Sequence, residues 1–555
     1  MKLKTYLSSL AMLVIVLGLH PLVAKDYAKK DPNERVRKAE EKYVQSQKCR
    51  HHHHHHSSSS SSLKDIKKCC RILNAKQACQ FVIRERDLNP NGFVITKSGY
   101  YCLEKNSIFN PVVPNGQAIR ITTSDVVLDL NGKTLSESSK TITDTNGITV
   151  DPNLSNITIM NGTVIGFSKV GIFAGKNSSL LKISQITSTN NGVRQQAGLF
   201  ASGSGGLYIT GSRDIIVENS WFVGNAGAGA NFDDVSKVIF ENNHCDDQVS
   251  AFLVNSTPPP FSNVALGAGF NGVVTGCSDV VIRNCTFNRN ASEVLARGLS
   301  IRRSVFTTQT PNNTNFVIEN CEMNDNKINL TNDVAINIGS SAVGISLNAT
   351  NNVVIRNCSI FNNSSQASTA LPLRSFGVDL FVCDDVLVED CVASGHIQSS
   401  VSTATTFAMA CGFKITQCNR NIFRRCVASN NINPVGEAYG FAMNNPIFGG
   451  ALRQDNQVVF ENCIAENNIG ASGIGAGFNL RNALNSKILN CLAQGNTIGL
   501  LTDEQKLPPP DSLTDNNVVA NNIFVANIQF GILDTTTNKS TAYYKNEAKK
   551  NGPTP

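Results

Sequence analysis

A chain of 555 residues would hold several ordinary domains, and its formal charge of +7 invites a polyanion-binding reading. The charge is unevenly placed: residues 1–86 hold 18 Lys and Arg against 7 Asp and Glu, whereas residues 87–555 hold 31 against 35. The larger part is slightly acidic and is not expected to bind nucleic acid. Length does not count domains either, because repeat folds grow one unit at a time.

Lys2 and Lys4 precede an apolar run over residues 6–19, and Pro21-Leu22-Val23-Ala24 offers a small residue before Lys25. This predicts a secretory signal over 1–24 and a secreted, periplasmic or cell-surface protein. Leu22 is large for its place in a cleavage motif, so an uncleaved anchor is the alternative. No other run of about 18 apolar residues follows, so no membrane span is expected once the signal is removed. Residues 25–62 read as a charged linker, helical around 33–47, that ends in six histidines at 51–56 and six serines at 57–62. Such a tract cannot build a core; its histidines would capture Ni²⁺ or Zn²⁺ as a purification tag does. Residues 63–118 are assigned to an N-terminal cap, 119–535 to a repeat and 536–555 to a C-terminal tail.

The repeat is an apolar strand led by glycine, a turn, an apolar triplet, a polar pair, a cysteine and an Asn-rich turn. It reads VVIRNCTFNRN ending at Asn290, FVIENCEMNDN at Asn326, VVIRNCSIFNN at Asn363, VLVEDCVASGH at His396, NIFRRCVASNN at Asn431, VVFENCIAENN at Asn468 and SKILNCLAQGN at Asn496. Its cysteines, Cys285, Cys321, Cys358, Cys391, Cys426, Cys463 and Cys491, are spaced by 36, 37, 33, 35, 37 and 28 residues. Related units upstream (VVLDLNG, ITIMNG, LKISQI, IIVENS, VIFENN) and a weaker one at VVANNIF bring the total to about a dozen coils. Strands this short, without a 3.6-residue period, leave a β-solenoid.

Alternation along a strand points Val280 and Ile282 inward and Val281 and Arg283 outward. Asn284, Asn320, Asn357, Asn462 and Asn490 suit a turn that stacks side-chain amides. The repeated cysteines then face inward with Phe287, Met323, Ile360 and Ala393. Outside, Arg283, Glu319, Arg356, Glu389, Arg424 and Glu461 alternate in sign from coil to coil. Stacked in register, each arginine lies between glutamates, which stabilises the stack and fixes its register.

The segments FVITKSGYYCLEKN, AIRITTSDVVLDLNGKTLS and NGITVDPNLSNITIMNGTVIGF resemble the first coils of bacterial right-handed β-helix proteins of the pectate-lyase-like superfamily, over roughly residues 92–535. The resemblance implies an all-β, right-handed, single-stranded parallel β-helix of three sheets. It does not choose a function, since that superfamily contains lyases, hydrolases, epimerases and non-enzymatic adhesins.

Seventeen cysteines in an exported chain ordinarily suggest disulfides. Seven form the inward ladder, where cysteine serves as a small apolar side chain, so free buried thiols are expected. Cys277, Cys383 and Cys418 form a second column, with Cys383 and Cys418 on successive coils and so the best placed for an in-helix disulfide. Cys69, Cys70, Cys79 and Cys102 fall in or near the cap, where a disulfide would hold a short capping segment. No spacing describes a zinc site, and no metal is expected; the group His244-Cys245-Asp246-Asp247 has no second arm.

Glycoside hydrolysis needs two carboxyl groups at a set separation. Asp233-Asp234, Asp246-Asp247 and Asp384-Asp385 are doublets, but Asp385 aligns with Asp125, Asp214, Asp279 and Asn352 in a turn column. Polygalacturonases of the superfamily carry Asn-Thr-Asp, Asp-Asp, Gly-His-Gly and Arg-Ile-Lys motifs. Here only Asp246-Asp247 and Gly395-His396-Ile397 occur, about four coils apart, which disfavours that activity. A lyase would need a base beside Ca²⁺-binding acids, and no dense acid cluster exists; Ca²⁺ is a candidate cofactor only in that case. One outward face remains. After the strands GISLN, GVDLF, GFKIT and GFNLR it presents Ser346, Asn348, Asp379, Lys414, Thr416, Asn479 and Arg481. Ser346, Asp379 and Lys414 fall in one column, where they would hydrogen-bond sugar hydroxyls, with Lys414 or Arg481 meeting a carboxylate. Asp379 and Lys414 are the only catalytic candidates, and an ordinary solvated ion-pair face is the competing explanation. Loops at 250–268, with Pro258-Pro259-Pro260, and at 293–314, with Arg297, Arg302 and Arg303, could grip an acidic partner.

Two readings follow. In the first the chain is a non-catalytic β-helix presenting a surface to a polysaccharide or cell-envelope glycan. In the second it is a polysaccharide lyase, glycoside hydrolase or epimerase working in a groove on the outward strands.

Overall fold

The computed structural model describes residues 79–552, except 139–143, 193–203, 251–265, 275, 293–294, 304–312, 331–340, 368–372, 401–407, 444–453, 471–474, 505–513 and 538–539. The expected signal, linker and histidine tract lie outside these residues.

Among the described residues, fifteen strands from Phe93–Ile95 to Phe530–Asp534 pair in chain order into one sheet, and the pairings within it are parallel. Most of these strands carry a glycine at the same level. The apolar triplets form a second sheet (Ser278–Arg283 on Asn313–Glu319, then Thr350–Arg356 and Asp384–Glu389). Two runs of short strands, from Ser359–Phe361 to Glu547–Lys549 and from Val249–Ser250 to Ile469–Gly470, complete the coil. The chain is a parallel β-helix.

Coiling begins earlier and ends later than the sequence suggests. Phe81–Ile83 already pairs in parallel with Gly99–Leu103 inside the segment assigned to the cap. Ala542–Tyr544 and Glu547–Lys549 add strands inside the segment assigned to the tail. Neither end carries the repeat's cysteine, and neither reads as one of the related units that lack it. The loop expected at 250–268 runs into the strand Leu266–Val274, and that expected at 293–314 contains the strand Leu295–Arg303 with Arg297, Arg302 and Arg303.

Inward and outward assignments follow the pleat. Val280, Ile282, Cys285 and Phe287 are buried. Phe413, Phe441 and Phe478 stack on successive coils with centroids 4.9 and 5.0 Å apart and planes within 6°. Each such ring removed from water contributes about 1.5–3 kcal/mol. The glycine column admits no side chain: a Cβ on Gly377 would lie 2.5 Å from the Gly412 carbonyl oxygen and 2.7 Å from Ala393 Cβ.

The corners are built from left-handed residues. Asn284, Asn320, Asn357, Asn462 and Asn490 have φ of 54°, 52°, 52°, 54° and 54°, which asparagine tolerates better than most residues. Asn320 Nδ2 donates to Asn284 Oδ1 at 3.2 Å, an exposed amide contact of the kind expected. A longer, buried amide ladder closes the repeat. Asn290 donates to Asn326 and Asn326 to Asn363, both at 2.9 Å; further on, Asn431 donates to Asn468 at 2.6 Å and Asn468 to Asn496 at 2.8 Å.

The alternating charges are in register: Arg283 is level with Glu319, Glu319 with Arg356, Arg356 with Glu389, Glu389 with Arg424 and Arg424 with Glu461. Arg424 reaches Glu461 at 3.0 Å and Glu389 at 3.6 Å.

The ladder cysteines are free and buried, and their thiols donate to backbone carbonyls, as Cys321 Sγ does to Glu319 O at 3.1 Å. Cys383 and Cys418 are also free. Cys418 Sγ accepts the Cys383 N–H at 3.4 Å instead of bonding its sulfur, since parallel stacked side chains do not reach disulfide torsions. A disulfide does join Cys79 to Cys102, with Cα atoms 5.6 Å apart, at the first coil; Cys69 and Cys70 lie outside the described residues.

Candidate functional site

The glycine-led sheet places Ser346, Asp379 and Lys414 level on successive strands. Asn348 is two residues along, level with Phe381, and Arg481 lies two strands beyond Lys414, level with Asp503. The column exists as read, but it is not a solvated face: Ser346 and Lys414 are each 5% exposed and Asn479 0%.

The burial has a visible cause. Val343, Phe376, Met409, Cys411, Tyr439, Ala442, Ala476, Ile498 and Leu501 form a second apolar cluster on the outward side of this sheet, separate from the main core. Arg481 reaches Glu437, although Glu437 sits seven positions from Arg481's level on the neighbouring strand. In a flat sheet seven residues span about 23 Å, farther than the two side chains reach. The strands therefore curl around their outward side at the glycine column, and the residues read as solvated line the inside of the curl.

Lys414 is fully engaged there. Its Nζ donates to Asp379 Oδ1 and to Thr416 Oγ1, each at 2.9 Å, and lies 5.3 Å from the Phe376 ring centre. The two catalytic candidates thus hold each other, with Lys414 buried and Asp379 partly exposed. Cys411, on the same strand, is inert: burial pushes its thiol far up.

Arg481 organises the other cluster. Its Nε donates to Asp503 Oδ2 at 2.8 Å, and Nη1 and Nη2 donate to Glu437 Oε1 at 3.3 and 3.4 Å. The three side chains are 13–19% exposed. Burial raises the carboxyls of Glu437 and Asp503, with Arg481 pulling each back down. Burial opposes the Arg481 charge, but Tyr439, Asp503 and Glu437 hold it firmly cationic. Beside this group Tyr439 and Asn479 are fully buried, the Tyr439 hydroxyl interacting with Glu437 and with the Asn479 amide, while Asp503 Oδ1 is buried with no hydrogen-bond partner. A buried polar group left unpaired costs about 1–3 kcal/mol, so Asp503 Oδ1 holds unused hydrogen-bonding capacity within a triad that is itself partly exposed.

The sequence named Asn479 and Arg481 on this face and missed Glu437, Tyr439 and Asp503. Glu437 and Tyr439 precede the glycine with which each strand was taken to begin, and the curl that folds them toward Arg481 leaves no mark in a linear pattern.

The acidic doublets are structural. Asp247 and Asp385 sit at left-handed corners (φ 60° and 56°), held by Arg289 at 2.7 Å and Arg420 at 2.8 Å. Asp246 accepts the Thr286 hydroxyl at 2.9 Å and the Asn288 N–H at 2.6 Å. His396 takes an asparagine's place in the amide ladder, buried at 0% exposure between Asn363 and Asn431. Among the described residues no group of three or more His, Cys, Asp or Glu is gathered as for a metal ion, and no helix is long and apolar enough to cross a membrane.

The sequence matches none of the curated proteins. Among solved structures the chain is similar to the A-module of the mannuronan C-5 epimerase AlgE6 of Azotobacter vinelandii (13% identity, 85% of this chain and 100% of that one, TM-score 0.41). It is also similar to PfbA, a surface adhesin of Streptococcus pneumoniae (12% identity, 82% and 87%, TM-score 0.34), and to the Dettilon tailspike protein (11% identity, 83% and 60%, TM-score 0.30). Residues 187–445 and 397–553 match the family described as right handed beta helix region. With its parallel coils, inward cysteines and buried amide ladder, the chain belongs to the right-handed β-helix family.

Proposed function

We propose that this is an exported β-helix protein that binds a glycan without turning it over, and that the Arg481 cluster is where the sugar is held. The observation that carries the reading is the partly exposed ion triad of Arg481, Glu437 and Asp503, in which Asp503 Oδ1 is left without a hydrogen-bond partner. Sugar hydroxyls both donate and accept, and so would complete the bonds that the protein leaves unmade. The absence of turnover is argued from engagement: Asp379 and Lys414 hold each other, and the described members of the acidic doublets serve corners and cross-coil contacts. Export is argued from the amino-terminal Lys2, Lys4 and the apolar run that follows.

A glycan panel scored for both retention and product tests this. Asp503→Asn is expected to weaken binding about tenfold, as for one or two lost hydrogen bonds. Binding indifferent to both Asp503→Asn and Arg481→Gln would defeat the assignment of the site.

The enzymatic reading has one observation in its favour. Glu437 and Asp503 are two partly buried carboxyls, both shifted upward, beside a tyrosine. Release of reducing ends or unsaturated uronates that disappears with Glu437→Gln would establish that reading instead.

A further inference from the structure

We infer that Trp221, on a different sheet from the Arg481 cluster, is a second glycan contact, a platform on which one pyranose ring lays its C–H face. The inference rests on the protein binding a glycan and not on Arg481 being where it is held. The strand Trp221–Val223 continues upstream the run of short strands that begins at Ser359–Phe361: parallel bridges put Trp221 level with His244, His244 with Thr286, Thr286 with Glu322 and Glu322 with Ser359. Phe222, the next residue, is buried, so alternation turns the indole outward, where it is 44% exposed. A single exposed apolar side chain needs no ligand to explain it, but this one is held as well as exposed. His244 stacks on it with planes 8° apart and ring centres 5.5 Å apart. The Thr286 hydroxyl gives its one proton to Asp246 Oδ2 at 2.9 Å, so it accepts from His244 Nδ1, also at 2.9 Å. Asp246 is fixed in turn by the Asn288 N–H at 2.6 Å. A side chain immobilised before binding has little rotamer freedom left to lose on binding.

The imidazole covers one face of the indole. The other is turned toward Thr187, which is level with Trp221 on the preceding coil. Threonine is too short to cover an indole, and the two coils before it place Thr163 and Thr134 in the same column. All three are partly exposed, and their neighbours Ser188, Val164 and Leu135 are buried, so the threonines point outward. The column therefore steps down from a large flat ring to a shelf of hydroxyls. With coils ~4.8 Å apart, the step leaves room above Thr187 for one ring laid against the indole. A pyranose stacked there removes its C–H face from water on the apolar body of the tryptophan, and its hydroxyls meet those of Thr187 and Thr163, which both donate and accept. An aromatic wall beside a few polar groups is the usual composition of a small-ligand site.

Trp221 is the one tryptophan of the chain, so its emission reports this site alone. Cellohexaose, mannohexaose, N-acetylated chitohexaose and hexagalacturonate are to be titrated into the full-length protein, with tryptophan emission and heat read on the same samples. The expected result is a saturable change in emission with at least one of them, at the midpoint given by the heat. Trp221→Ala is expected to lower that affinity about tenfold or more, with Trp221→Phe in between. The wild-type emission decides the matter should a variant fold poorly. Binding that leaves the emission unmoved, or that Trp221→Ala does not weaken, would overturn the platform; its loss in Arg481→Gln or Asp503→Asn would then leave the Arg481 site standing. Binding lost in Trp221→Ala and indifferent to Arg481→Gln and Asp503→Asn would support the platform and defeat the Arg481 assignment. No binding by any of the four oligomers would overturn the platform together with the glycan-binding reading.

Discussion

His396 shows how one side chain can imitate chemistry while serving structure. It follows a glycine, as a catalytic histidine does in polygalacturonases, but the position it fills belongs to the buried ladder otherwise made by Asn290, Asn326, Asn363, Asn431, Asn468 and Asn496. Its Nδ1 accepts the Asn363 N–H at 3.3 Å, while Nε2 is buried without a partner. Burial depresses its pKa to about 3, the Asn363 contact acting weakly the other way. The folded state therefore keeps this ring neutral where the unfolded chain, near 6.5, takes up a proton. Stability is unaffected above the unfolded value, and it is lost as pH falls from about 6.5 toward 3, at up to about 1.4 kcal/mol per pH unit. His396→Asn should remove that slope and restore a continuous amide ladder. Thermal midpoints of the two proteins measured from pH 7 to pH 4 should diverge, the variant retaining more stability at the acid end; parallel curves would show that the ring is not held neutral.

At the scale of the element, the sequence reveals register but not curvature. The outward charges could be read because alternation has a period of two along a strand and the coils repeat at a near-constant length; the structure pairs each of them with the neighbour expected. Arg356 tests whether the ladder matters. Its Nε donates to Glu319 Oε2, and it lies level with Glu389 on the other side. Arg356→Glu would place three glutamates in a row, replacing two favourable neighbours with two repulsive ones, a loss of roughly 1–2 kcal/mol. The thermal midpoint should fall, and the deficit should shrink as salt screens the repulsion; a deficit independent of salt would assign the effect to packing. The candidate site was only half legible, for a reason at this same scale. The Asp379–Lys414 pair could be read from coil spacing, but the meeting of Arg481 with Glu437 depends on a sheet that bends about Gly377, Gly412 and Gly440. A glycine in a strand announces a close approach of backbone without saying which way the strands turn.

Across the whole molecule, the cysteine is the clearest mark of the repeat. Coils at both ends, which carry neither the cysteine nor a recognisable variant of its template, escape the sequence pattern, whereas the related units without cysteine are recognised and those with it are ordered correctly from Cys285 to Cys491. The same column explains how a chain proposed to be exported can keep thiols. The twelve free cysteines among the described residues are all buried, and stacking in parallel keeps successive sulfurs from the geometry of a disulfide. Burial pushes the thiols of Cys426 and Cys463 well up, so little reactive thiolate forms there at neutral pH, whereas hydrogen bonds with Cys321 and Cys391 pull Cys358 down and leave it shielded by burial alone. Protection should then be a property of the folded solenoid rather than of any one residue. Alkylation of the native protein, read cysteine by cysteine by mass spectrometry, is expected to leave all twelve unmodified over hours and to modify all of them once the chain is denatured. Progressive labelling from one end of the ladder would mean that terminal coils open before the rest, as the nearest-neighbour energetics of a solenoid permit. Rapid labelling in the middle of the column, at Cys358 or Cys391, would contradict a closed core.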